Sequence, residues 1–348
     1  MDTYVDMPSV DNFSETGTLW LDTALPEFDF SRFVEEISSG KNIFRPDDIF
    51  NSLFSLFAKE LYSAIKILAV ITAIMLIGAL LENLKTSFNR KGAFGTEFVI
   101  IALISALAGE IFLQSGSYAG EVSENITKLM WSVLPAMLTL TAGSGFVQTV
   151  ALTNPILYFM CNMFAELFNK VLIPLSVAYF AIALTDLLTD TVHLTKLREL
   201  IKKAYNFLLG LIMTIFTGLL TVSSFAGHSL DSVGAKGVKF AVSSVVPFVG
   251  RSISDAMGAV VSASVLLKNA VGITAIITMV ALCVIPVLKI ATTIIAIRVC
   301  TAICEPISGS KGIEILSSAA DSLSMINAAV IATVMMMIIS LSLIVGLK

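Results

Sequence analysis

Apolar runs approaching 20 residues recur along this chain of 348 residues, and they limit what it can fold into. About 20 apolar residues is the length at which a helix crosses the roughly 30 Å hydrocarbon core of a bilayer. The chain is 56% hydrophobic and only 14% charged, against about 25% charged for a typical soluble domain. Its mean hydropathy is +0.89. The fold class that follows is all-α: a polytopic membrane helix bundle, with about seven to nine spans of roughly 16–22 residues each.

One stretch, from Lys236 to Lys289, is nearly all apolar or small, yet carries Lys239, Arg251, Asp255 and the Lys268–Asn269 pair. Pro247 and Pro286 sit inside its hydrophobic runs. A broken helix survives in lipid only against protein or a water-filled cavity. Ionisable groups at that depth face a bundle interior or a pathway. Pro247, Gly250, Arg251, Asp255, Lys268, Asn269 and Pro286, with Pro135 and Pro174 upstream, are therefore the candidate gate or pathway residues. Arg251 and Asp255, one turn apart, either pair with each other or line a solute path.

Net charge is −4, but residues 1–60 hold twelve acidic and four basic groups, which leaves +4 for the remainder. An acidic segment of this kind is neither a nucleic-acid arm nor a polybasic membrane anchor. MDTYVDMPSV offers no basic region followed by an apolar one, so no signal peptide is expected at Met1. Residues 1–60 read as an acidic extracytoplasmic segment with an amphipathic lead-in helix after Pro46, and residues 61–348 as the membrane domain. Spans are expected at 61–81, 98–113, 171–188, 204–225 and 328–347, with another helix ending near residue 303. Residues 113–128 read as a polar loop that sets Glu110 near a span end. Residues 129–168, broken by Pro135, Gly143-Ser144-Gly145 and Asn154-Pro155, form two short spans or one re-entrant hairpin, and Glu166 lies near its end. Residues 305–324 read as a polar connector. The basic clusters in 82–97 and 189–203 place those loops in the cytoplasm.

A candidate parallel repeat runs at an offset of 112, with SVLP at 132–135 over SVVP at 244–247 and LIPL at 172–175 over VIPV at 284–287. The repeats would be 98–188 and 210–300, flanked by the first and last spans. Repeats with discontinuous helices often place a polar site near the bilayer midplane. At this offset Asp186 and Arg298 are equivalent, which suggests a salt bridge. Cys161, Cys283, Cys300 and Cys304 make no CxxC pair and read as buried small apolar residues. No GxxxxGK[ST], HExxH or GxSxG motif occurs, and no nucleophile–base pair is evident. No enzyme activity, cofactor or metal is expected.

The stretch Lys239-Phe240-Ala241-Val242-Ser243, Val246-Pro247-Phe248-Val249-Gly250, Ser254-Asp255-Ala256 and Leu266-Leu267-Lys268-Asn269-Ala270-Val271-Gly272 resembles the stage III sporulation protein AE family of endospore-forming bacteria. Val133-Leu134-Pro135 and Val171-Leu172-Ile173-Pro174-Leu175 are similar to it too, and the resemblance covers roughly residues 45–348. It implies a multi-pass protein of the mother-cell membrane surrounding the forespore. It further implies a permease-like component of the channel complex that joins the two compartments. Partners would be other membrane and intermembrane-space proteins of that complex, including a secretion-type ATPase, and the lipid bilayer, with no nucleic acid. The family supplies no catalytic residues to carry over, and its members commonly begin with a signal peptide. The other readings of the residues are a stand-alone secondary transporter of a small solute and a purely structural scaffold.

Overall fold

The computed structural model describes residues 46–87, 93–188, 194–245, 250–306 and 310–346. Side chains are undescribed within several helical stretches, including 46–57, 81–97 and 232–257. The acidic segment up to residue 45, and Pro247, lie outside the described residues, as do the side chains of Gly250, Arg251 and Asp255.

Long helices carry the fold, and no strand occurs among the described residues. In chain order they are α1 (Pro46–Ser87), α2 (Ala93–Gly143), α3 (Val147–Leu167), a π-helical turn (Phe168–Leu172), α4 (Ile173–Leu188), α5 (Thr195–Val245), α6 (Gly250–Cys304) and α7 (Ser310–Gly346). The lead-in after Pro46 is continuous with the first span. Among the described residues, six segments are long and apolar enough to cross a membrane, and Gly258–Ile273 is a shorter apolar stretch.

Residues 113–128 are not a loop; they are the middle of α2, a helix of 51 residues. Glu121, Glu124 and Lys128 are exposed, while Ala119, Ser123 and Ile126 are buried. That spacing of three and four residues is a helical period, so the polar groups share an outer face instead of ending the helix. Residues 129–168 are the tip of a hairpin whose arms continue into 98–113 and 171–188. Gly145, at φ +97°, makes its turn, a conformation only glycine adopts freely. Glu166 consequently lies mid-arm, not at a span end.

Pro174 explains the π turn. Proline has no N–H to return to the carbonyl four residues back. The chain widens by one residue just before it, and the Ile173 N–H bonds the Phe168 carbonyl. Pro135 and Pro286 are accommodated inside α2 and α6.

The last helix is the centre of the bundle, not a flank. α7 packs on α2, α4, α5 and α6. Residues 310–324 of the connector expected at 305–324 are α7's first turns, where Ile315, Leu316, Ala319, Ala320 and Leu323 are buried. Small residues let neighbouring helices approach closely.

Side-chain contacts fix the helix register. Tyr205 of α5 donates to the Met325 carbonyl of α7 at 2.6 Å. Gly116 of α2 lies beside Ile326. Cys161 of α3 meets Met337 at 3.7 Å. Met137 of α2 and Val345 of α7 both pack on Gly272 of α6. The apolar part of α7, residues 326–345, is therefore level with 116–137 of α2.

Candidate functional site

Four helices meet at one carboxylate. Asp321 of α7 accepts from Lys202 Nζ of α5 at 2.8 Å and from Arg298 Nη2 of α6 at 2.7 Å. The Tyr179 hydroxyl of α4 donates to the same carboxylate at 3.3 Å. One turn earlier on α7, Ser318 accepts from Arg198 Nη1 of α5 at 3.2 Å. Asp321 faces inward because it shares α7's packed side with Ser318 and Met325, three and four residues away. Its side chain is 24% exposed, and those of Lys202 and Arg298 are 44% and 52% exposed. The cluster thus lies between a surface pair, worth about 0–1 kcal/mol, and a buried one, whose disruption costs about 3–5 kcal/mol.

A polar cleft of about 360 Å³ opens beside it, lined by Tyr179, Asp186, Arg198, Glu314, Ser318 and Asp321 among others. Asp186 accepts from the Leu194 N–H at 2.5 Å and from the Thr195 hydroxyl at 3.0 Å. It tethers the start of α5 to the end of α4 in the manner of a helix cap. The expected Asp186–Arg298 bridge is thus replaced: the carboxylate that holds Arg298 is Asp321.

A second polar knot closes the opposite end of the bundle. Asp231 of α5, 7% exposed, accepts from the Gln148 and Thr149 N–H groups at 2.7 and 2.9 Å and from the Thr149 hydroxyl at 2.7 Å. It caps the first turn of α3 from a neighbouring helix, satisfying donors that have no partner within α3. Gly227, one turn before it, allows the approach. A Cβ there would stand 2.4 Å from the Thr149 Cα. His228 stacks on Phe146 at 5.7 Å, and Lys268 Nζ lies 5.4 Å from the same ring centroid. A cation over an aromatic face is a favourable contact.

The expected gate residues do not converge. Lys268 is fully buried, but at the bundle end by the α2–α3 turn, one helical turn beyond the level of Gly272 and Val345. Asn269 beside it is half-buried. Pro135 and Pro174 face outward on separate helices, and Pro286 is buried in α6. Gly250 and Arg251 form the first turn of α6, with Asp255 in the next. Cys161, Cys283, Cys300 and Cys304 are free and buried, as expected for small apolar residues. Among the described residues, no group of three or more His, Cys, Asp or Glu is placed to hold a metal ion.

Sequence reasoning missed Asp321. Its signal was present: apolar residues recur at helical spacing at Ile315, Leu316, Ala319, Ala320 and Leu323, with Asp321 inside that run. What this cluster can do chemically is hold helices together or release them. It offers salt bridges and hydroxyl contacts, not a nucleophile with its base.

The chain is thus a helical membrane protein of the multi-pass class, with a polar knot at each end of its bundle. The stage III sporulation protein AE family matches residues 28–348, and the chain belongs to that family. Stage III sporulation protein AE of Bacillus subtilis (strain 168) is 26% identical over 322 residues, covering 92% of this chain and 80% of the relative. No solved structure matches.

Proposed function

We propose that this chain is the permease-like membrane component of the mother cell–forespore channel complex required for endospore formation. It acts from the mother-cell membrane around the forespore and works with other membrane and intermembrane-space proteins, including a secretion-type ATPase. It performs no catalysis of its own. The observation that carries this reading is a bundle of span-capable helices, in a chain of this family, whose central α7 is held to α4, α5 and α6 by one ion cluster. Breaking this cluster would free α7 from three helices at once, and a gate requires an element that can be held or released in that way. The basic residues around Lys196–Lys203 support a cytoplasmic location for this end.

The scaffold reading is favoured by one observation. Both oxygens of Asp321 are already engaged by cations, so its charge is compensated within the chain. Sporulation in a strain carrying Asp321→Asn, with protein level checked by blot, separates the two. Accumulated protein with forespores arrested after engulfment supports the gate. Normal spores support the scaffold. Solute uptake by the purified chain alone in proteoliposomes would sink both and favour a stand-alone transporter.

A further inference from the structure

The cleft beside Asp321 holds two ionic groups that the ion cluster does not use. Its walls come from α4, α5 and α7, and every lining side chain carries a polar group. Two of its carboxylates are already committed. Asp321 is compensated by Lys202 and Arg298. Asp186 holds the start of α5 through the Leu194 N–H and the Thr195 hydroxyl. Arg198 and Glu314 remain. The Arg198 guanidinium donates to the Ser318 hydroxyl, a neutral acceptor, at 3.2 Å. Its planar fork carries further N–H donors. Glu314 is exposed at the cleft. Among the described residues, neither Arg198 nor Glu314 forms a salt bridge.

The two groups are near each other without pairing. Glu314 and Ser318 stand four residues apart on α7, which sets them on one face with Cβ atoms about 5–6 Å apart. Arg198 bonds Ser318, so Glu314 lies on the order of one helical turn from the guanidinium. A gap of that size between opposite charges suits a molecule that carries a carboxylate and an ammonium on neighbouring atoms. Each end reaches its protein partner at about 2.7–2.9 Å, the length of a charge-assisted hydrogen bond. An anion alone would answer Arg198 and repel Glu314, and a cation alone would do the reverse. A zwitterion answers both and adds no net charge. That matters here, because Asp186, Glu314 and Asp321 are already matched in number by Arg198, Lys202 and Arg298.

We infer that this cleft is a binding site for a small zwitterion of the α-amino acid type. Arg198 holds the carboxylate through paired N–H bonds, and Glu314 holds the ammonium. The volume of about 360 Å³ is at the small end for ligand sites, which suits a free amino acid and not a peptide. The site goes beyond the channel reading and does not depend on it.

The test is thermal unfolding of the purified full-length chain in detergent, with each common amino acid added in turn at about 10 mM. A ligand of the folded state raises the melting temperature. At least one amino acid should do so saturably. Its analogue without the ammonium, and its analogue without the carboxylate, should each bind roughly 10–100-fold more weakly, the worth of one hydrogen bond to a charged group. Glu314→Gln should remove the preference for the amino acid over the deaminated analogue. Because Glu314 is exposed, this variant should melt like wild type without ligand, so its effect is on binding. Arg198→Lys keeps the charge but not the fork and should also weaken binding. The inference is overturned if no amino acid shifts the melt of a chain that still unfolds cooperatively. It is overturned too if the shift survives Glu314→Gln and Arg198→Lys unchanged, which would place the ligand elsewhere. Equal binding of the deaminated analogue would make this an anion site, and equal binding of the amine a cation site; either result overturns it. None of these readouts depends on sporulation, so failure here leaves the channel reading standing.

Discussion

Two outer faces of this bundle stand at the same level and oppose each other in character. Along α5, six large apolar side chains are exposed. Along α2, α3 and the π turn, Glu121, Glu124, Lys128, Glu166 and Lys170 are exposed among a few apolar side chains such as Trp131 and Phe159. Yet Phe98–Gly143 and Thr195–Asp231 both contain a stretch apolar enough to cross a membrane. In α2 that apolar run comes first, up to Leu113, and the charges follow it on the same helix. The difference teaches that one long helix can carry an apolar part and a charged part, so its length alone does not say how much of it lies in lipid.

The largest effect expected from breaking this contrast is on the α5 side. Ile215→Lys puts a cation in the middle of the lipid-facing stripe. On insertion scales a lysine at the helix centre costs about 2.5–3.5 kcal/mol. Carbonate-resistant protein in the membrane fraction should fall several-fold. Unchanged insertion would mean that α5 does not face lipid and would remove the reference for the comparison.

α5 also has an inner face, and there the constraint is steric. Gly227→Ala drives a methyl against the backbone of Thr149, which has no flexible end to move aside. Overpacking of this kind costs about 1–3 kcal/mol. The melting temperature in detergent should drop, and a larger loss should follow if the shift also separates Asp231 from the first turn of α3. A wild-type melt for Gly227→Ala would show that α5 and α3 pack less closely than the contacts indicate.

A third contrast is between charges that hold helices together and charges that face outward. Asp321→Asn leaves Lys202 and Arg298 side by side without their carboxylate. Given the partial exposure, the loss should be about 1–2 kcal/mol, between the surface and buried limits. The detergent melt checks it, and the double variant Asp321→Asn with Arg298→Met should lose less than the two single changes combined. Additive losses would mean that Arg298 gains little from Asp321.

Much of this was legible in the sequence. The apolar runs and prolines announced a helical membrane bundle, and Gly143-Ser144-Gly145 announced a break. The helix at 113–128 and the central place of α7 were not read, for one physical reason. Both segments are polar on average, and both owe their helicity to where the polar groups fall. Glu121, Glu124 and Lys128 share an outer stripe, whereas Asp321 sits among buried alanines and leucines. The cluster at Asp321 was also hidden because its partners come from four helices, and no spacing along the chain brings Tyr179, Lys202 and Arg298 to one point. Lys268 was legible as unusual but not as terminal, since its level depends on Gly272 meeting Val345 across the bundle.

The smallest effect expected is the most discriminating. Glu124→Gln removes one partner of an exposed i,i+4 pair, and such pairs contribute about 0.3–0.5 kcal/mol. In a detergent-solubilised single chain the melt should not move measurably. A measurable drop would make Glu124 part of the packed fold and remove it from the outward-facing charges, so this small effect tests the contrast with Asp321 from its other side.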